Sequence, residues 1–226
     1  MAVLSNPFWS ALTTDQASFA VVSGNVRWFP ADVAPFCAVE RAGQAIDAHV
    51  MAAVLRGSPT RYFVGGLPRL PSEFHTSRPI TLLQMACTTV GPAGADDAGL
   101  LDLGPDDAAA MLALTGLVFP GFFRSRTSDL GRYVGIKRNG DLVAMGGERL
   151  AMPGHREISA ICTHPAHTGH GYARTIVGHL TAQILGEGRL PFLHVRDTNA
   201  RAIRLYESTG FSLVNSVSVL RVNAER

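Results

Sequence analysis

Cysteine is scarce in this chain of 226 residues. There are three, Cys37, Cys87 and Cys162, an odd number without a Cys-x-x-Cys pair. A disulfide frame is therefore not expected, and reduced thiols in a cytoplasmic protein are. Cys162 is expected to pack in a strand, since no His–Asp relay stands near it in sequence to make it a nucleophile. Charge is thin as well, at 17% of residues with a formal net charge of +2 and no block of Lys and Arg. Nucleic acid is thus not an expected partner. Arg124, Arg126 and Arg132 form the one local basic cluster, read as a solvated surface or as a counter-charge for an acidic or phosphate-bearing ligand. No apolar run is long enough to span a bilayer, so no membrane partner is expected. Residues 1–12 lack the positive segment of a signal peptide.

What the chain does have is apolar residues, 46% of the total. That is enough for a sizeable core and argues against disorder. The length suits one large or two small domains. Composition divides near residue 92, with proline-rich sequence before it and a linker composition, Gly91-Pro92-Ala93-Gly94-Ala95-Asp96, at the join. Residues 1–92 read as an αβ arm or degenerate half-domain, with helices at 6–12 and 45–55 and short apolar pieces at 17–22, 26–29, 62–64 and 80–89. Residues 93–226 read as a second unit with a clearer order. A strand at 99–103 leads to a helix opened by Pro105 and Asp106 and running to about Leu117. A loop covers 119–130. Strands at 133–138 and 141–150 flank Asn139-Gly140, a type I′ hairpin signal. A turn at 152–154 leads to a strand at 157–162.

The most informative stretch follows: His164-Pro165-Ala166-His167-Thr168-Gly169-His170-Gly171-Tyr172-Ala173-Arg174. The apolar run 158–162 precedes it, and Ala173, Ile176, Val177, Leu180 and Ile184 then fall on one helical face. Strand, small-residue loop and helix N-terminus together leave backbone N–H groups without partners at the positive end of a helix dipole, which suits a phosphate or pyrophosphate. Gly169 and Gly171 have no Cβ to obstruct its approach. The dinucleotide fingerprint does not fit, because Arg174 stands where a third small residue is required, and Asp197 is not placed as the ribose acid. A P-loop does not fit, because Gly-Lys-Ser/Thr is absent. Further on, Asn199 reads as an N-cap, Ala202, Leu205 and Tyr206 share a helical face, and Gly210 fits the position after the helix.

Two patterns, x-Gly-x-Gly-x-Ala after His-Pro and Asn-x-x-Ala-x-x-x-Tyr-x-x-x-Gly-Phe, resemble the hallmarks of the GNAT family of N-acetyltransferases, in order and at the right separation. The resemblance covers about residues 96–226. The run Glu-Ile-Ser-x-x-Cys-Thr-His-Pro is similar to the FR47-like branch. One departure is Thr168, which stands where Arg or Gln is usual. The resemblance implies an α/β fold with a central mixed, splayed β-sheet flanked by helices, joined to the N-terminal αβ half. It implies acetyl-CoA as co-substrate, an amine acceptor, direct attack in a ternary complex, and a monomer or homodimer. Pantetheine is expected along Ile161, Cys162 and Thr163, and the pyrophosphate against Thr168, Gly169, His170, Gly171, Tyr172, Ala173 and Arg174. Asn199 and Tyr206 complete the co-substrate site, and Tyr206 is the expected general acid for the departing thiolate. For the base, Glu157 lies fourteen residues before Gly171, as the base does in the histone-acetylating branch, and is preferred over Glu148 on the neighbouring strand.

His164, His167 and His170 recur every three residues, a spacing that invites a zinc reading. It lies on a loop rather than a helical face, and no cysteine or carboxylate completes a tetrahedral set, so no metal is expected. The competing functions are a non-catalytic acyl-CoA-binding module, disfavoured by the presence of both Asn199 and Tyr206, and a nucleotide site, disfavoured by the missing Lys and ribose acid. The acceptor is not readable. Its pocket is expected from 119–130, the 150–155 turn and the N-terminal half.

Overall fold

The computed structural model describes residues 2–89 and 99–224. In chain order the elements are α1 (Pro7–Thr13), β1 (Val21–Ser23), β2 (Val26–Trp28), β3 (Phe36–Val39), α2 (Ala48–Leu55), β4 (Thr60–Gly65), β5 (His75–Thr76) and β6 (Ile80–Ala86). They continue with β7 (Leu100–Leu103), α3 (Ala108–Val118), β8 (Tyr133–Arg138), β9 (Asp141–Met152), β10 (His155–Thr163), α4 (Tyr172–Gly186), β11 (Leu190–Arg196), α5 (Ala200–Glu207) and β12 (Ser212–Asn223). The linker expected at 91–96 lies outside the described residues.

Local chemistry explains most boundaries. Pro7 opens α1 with φ already set for a helix and no N–H to lose. Asn139 and Gly140 both take positive φ, 54° and 90°, closing the β8–β9 hairpin as a type I′ turn requires. In α4, Ile176, Val177, Leu180 and Ile184 are buried against the sheet. Each contributes about 1.5–3 kcal/mol of apolar burial, far more than helix propensity does. The first half differs from the sequence reading in three places. The piece at 17–22 is a 3-10 turn followed by the short β1, β3 was not anticipated at all, and the second helix starts at Ala48 rather than 45. Phe36–Val39 is short, fully buried and without alternation, so it carries no strand period to read.

The strands form one mixed sheet in the order β1-β2-β3-β4-β12-β6-β11-β10-β9-β8-β7, with β5 alongside β12. Neighbours run antiparallel except β3 with β4 and β10 with β11. The sheet runs continuously across the compositional break near 92. Strand β6, from the first half, lies between β11 and β12, pairing Leu82–Ala86 with β11 and Ile80–Ala86 with β12. Strands β10 and β11 pair through His155–Leu190, Arg156–Pro191 and Glu157–Phe192, and then separate while each continues. The resulting wedge is the mixed, splayed sheet expected above. Helices α4 and α5 cover one face of it beside a core containing Ile176, Leu180, Val195 and Phe211. On the other face α1 packs with Phe8, Phe29, Phe36 and Phe192.

Candidate active site

Strand β10 makes the site possible by being irregular. Its pairing with β9 passes from Ser159–Gly147 to Cys162–Met145, so Ala160 and Ile161 together oppose Gly146. Ala160 sits at φ 55°, an unusual conformation for a residue with a Cβ, and is held there by the bulge. A Cβ on Gly146 would lie 2.2 Å from Ile161 Cδ1, so a glycine on β9 is what admits the bulged side chain.

Beyond β10 the chain turns at His164, whose Nδ1 accepts from the N–H of Ala166 at 3.2 Å. Gly169 and Gly171 take φ 87° and 78°, and α4 begins at Tyr172. A Cβ at Gly171 would meet nothing within 4 Å, so that side of the loop is open. Among the described residues no protein acceptor serves the N–H groups of Gly171, Tyr172 and Ala173. Unpartnered donors, a helix N-terminus and an open left-handed glycine fit a pyrophosphate. Arg174 reaches across to α5, bonding the Ser208 carbonyl at 3.1 Å and Oγ at 2.8 Å. His170 stacks on Tyr172, with ring centroids 5.4 Å apart. Asn199 caps α5, accepting from the N–H of Ala202 at 3.2 Å. Residues 161–163, 168–174, 199 and 206, all expected at the co-substrate site, line one cleft of about 440 Å³. Cys162 lines it too, but burial pushes its thiol up to about 12, so it stays protonated.

A second cavity of about 650 Å³ lies on the other side of β10, and Ile161 and Tyr206 line both. Its floor is one face of the sheet, including Phe36, Tyr62, Leu82 and Val219. Phe8 and the segment after α3, with Phe119, Phe122, Phe123 and Thr127, complete it. The aromatics pack on one another, with Tyr62–Phe122 at 4.9 Å and Phe8–Phe36 at 4.8 Å. Residues from 119–130 and from the N-terminal half line this cavity, whereas residues 150–155 do not.

Tyr206 is 8% exposed, and burial pushes its phenol up to about 12, so it is a neutral donor throughout the physiological range. The two acids behave differently from a free base. Glu157 is fully buried, with Arg149 Nε 2.9 Å from Oε2, Arg149 Nη2 2.5 Å from Oε1, and His194 Nδ1 2.6 Å from Oε1. Burial raises its carboxyl pKa, but Arg149 and His194 outweigh burial and hold it at about 2. Glu148 is paired with Arg132 and lies 3.5 Å from Arg156 Nε. Neither acid lines either cavity. His194, on the cavity face of β11, does, and its Nε2 lies 3.1 Å from Gln84 Nε2. The alternation Phe192, His194, Arg196 on one strand face was the available signal for it. The basic cluster is dispersed: Arg126 pairs with Asp129 and Asp32, and Arg132 with Glu148 and Glu187.

A crystal structure from Novosphingobium aromaticivorans, assigned to the GNAT family of acetyltransferases, is 32% identical, with 99% of each chain covered and a TM-score of 0.86. The chain belongs to the GNAT family. GNAT acetyltransferases use acetyl-CoA as co-substrate. Residues 133–219, from β8 into β12, match the FR47-like protein family. An uncharacterised protein of Mycobacterium leprae is 27% identical over 206 residues, 85% of this chain and 57% of its own. The N-alpha-acetyltransferase RimI of Mycobacterium tuberculosis is 34% identical over 96 residues, 41% of this chain and 60% of its own. The chain thus spans less than two thirds of the curated relatives it matches. No helix among the described residues is long and apolar enough to cross a membrane.

Proposed function

We propose that this GNAT protein moves the acetyl group of acetyl-CoA to an amine by direct attack in a ternary complex. The observation that carries the reading is the meeting of two cavities at Ile161 and Tyr206, one lined by the phosphate-type loop and the other by aromatic side chains. In this reading the thioester enters through the smaller cleft, its pyrophosphate against the N–H groups at 171–173. The acceptor enters the larger cavity as a neutral amine and attacks the thioester carbon. A backbone N–H of the β10 bulge stabilises the tetrahedral oxyanion. The C–S bond then breaks, and the phenol of Tyr206 gives its proton to the departing sulfur. The proton lost by the amine passes to water and restores Tyr206.

Glu157 acts here as a positioning residue. With both oxygens occupied it holds Arg149 and His194 in the cavity wall rather than taking the amine proton itself. Glu148 has no part in the step. Residues before 92 serve as an arm that builds the acceptor wall, through Phe8, Phe36 and Tyr62. Three free, buried thiols suit a reducing, cytoplasmic location. The match to RimI covers 41% of the chain, whereas the cavity draws on residues from 8 to 221, so the acceptor does not carry over.

An amine screen reading CoA release in the presence of acetyl-CoA tests this. Acceptor-dependent release is expected. Tight acetyl-CoA binding with no release for any amine would instead support a binding module.

A further inference from the structure

The acceptor cavity has a strongly biased charge. Among the described residues its lining holds four arginines, Arg78, Arg149, Arg196 and Arg221, and no carboxylate. Arg149 is committed to Glu157. The other three are exposed, and among the described residues none has an ion-pair or side-chain hydrogen-bond partner. The sheet gathers them at one end of the cavity. Arg196 pairs with Leu82 on β6, whose other neighbour, β12, carries Arg221 two residues beyond the Val219–Ile80 pair. The carbonyl of Arg221 accepts from the N–H of Ser77, which brings Arg78 to the same end. Like charges gathered without counter-charges repel one another, and an anion relieves that repulsion.

A second observation lies deeper. Tyr133 is 3% exposed and lines the same cavity, and its hydroxyl is buried with no hydrogen-bond partner among the described residues. A buried hydroxyl left unpaired is costly, so a polar group of the occupant is the natural partner. The aromatic walls between these two features suit an apolar body.

Resting on the acetyltransferase reading, we infer that the acceptor is an amine that also carries an anionic group, carboxylate or phosphate, on an apolar body. Arg78, Arg196 and Arg221 bind the anion, and Tyr133 bonds the polar end near the reacting nitrogen. Polycationic acceptors such as polyamines are repelled by the same arginines.

The test is calorimetry on the full chain saturated with CoA, using two pairs of product-like probes, each an anion against a neutral counterpart. The pairs are N-acetyl-L-phenylalanine against its amide, and the O-phosphate of N-acetyltyramine against N-acetyltyramine. In at least one pair the anion should bind roughly tenfold or more tightly than its neutral partner, as expected for charge-assisted hydrogen bonds. Which pair shows the gap separates carboxylate from phosphate. In Arg196→Gln/Arg221→Gln, and to a lesser degree in each single variant, the gap should close while acetyl-CoA affinity and melting temperature hold. Equal binding within both pairs, no binding of any probe, or a gap that survives the double substitution would overturn the inference. Failure of the acetyltransferase reading shows separately, as no acetyl-CoA binding by the wild type or as acetyl-CoA binding without CoA release for any amine in the screen above.

Discussion

Tyr206 and Glu157 show how burial gives opposite results for two ionisable side chains. Tyr206 has no charged partner to offset burial, so its proton is held more tightly. Glu157 meets Arg149 and His194, so it is an anion at any ordinary pH. Tyr206→Phe should leave melting temperature and acetyl-CoA affinity nearly unchanged and lower single-turnover acetyl transfer by about 10²–10⁴-fold. The wild-type rate should show no alkaline loss from this group until pH approaches about 12. A wild-type rate in the Phe variant would make Tyr206 a packing residue. For Glu157, a carboxyl lowered from 4.5 to about 2 in the folded state adds stability that is present above the unfolded value and lost as pH falls from about 4.5 toward 2. Glu157→Gln strands a buried guanidinium and should cost about 3–5 kcal/mol in denaturant unfolding at pH 7. The deficit relative to wild type should shrink across that acid window; a constant deficit would contradict the pairing. The position of Glu157 was legible in the sequence, but its role was not. Arg149 and His194 lie 8 and 37 residues away, and nothing in a strand pattern announces that they converge on one carboxylate.

At the scale of elements, the loop into α4 was the most legible part of the chain. Its glycines, the preceding apolar run and the following helical face each point to the same turn. The bulge in β10 was not legible, since Ala160 and Ile161 look like ordinary strand residues. Their displacement depends on Gly146 across the hairpin, a packing relation rather than a local preference. The loop glycines differ in kind from Gly146. A side chain at Gly146 would collide with Ile161, whereas one at Gly171 would point into open space. Gly171→Val therefore costs the fold only the left-handed backbone penalty, about 1–2 kcal/mol. Its main effect falls on whatever occupies the cleft, which makes it a clean probe of that cleft.

At the scale of the molecule, composition and topology disagree. The proline-rich first half looks separable, yet its last strand, β6, is inserted between β11 and β12. Those pairings join residues more than a hundred positions apart, such as Leu83 with Val195 and Ser216, and no local pattern encodes them. The first half also supplies Phe8, Phe36 and Tyr62 to the larger cavity. A fragment of residues 96–226 should accordingly lose a central strand, expose apolar surface and fail to unfold cooperatively. A soluble fragment with a sharp thermal transition and full activity would show that the arm is dispensable. The central claim is that acetyl-CoA occupies the cleft at the start of α4 and meets its acceptor at Ile161 and Tyr206. Its most direct measurement is calorimetric titration of acetyl-CoA into the wild type and into folded Gly171→Val. One-to-one binding by the wild type and a severe loss of affinity in the variant are predicted. Unchanged affinity in a folded Gly171→Val protein, or no binding by the wild type, would contradict the account.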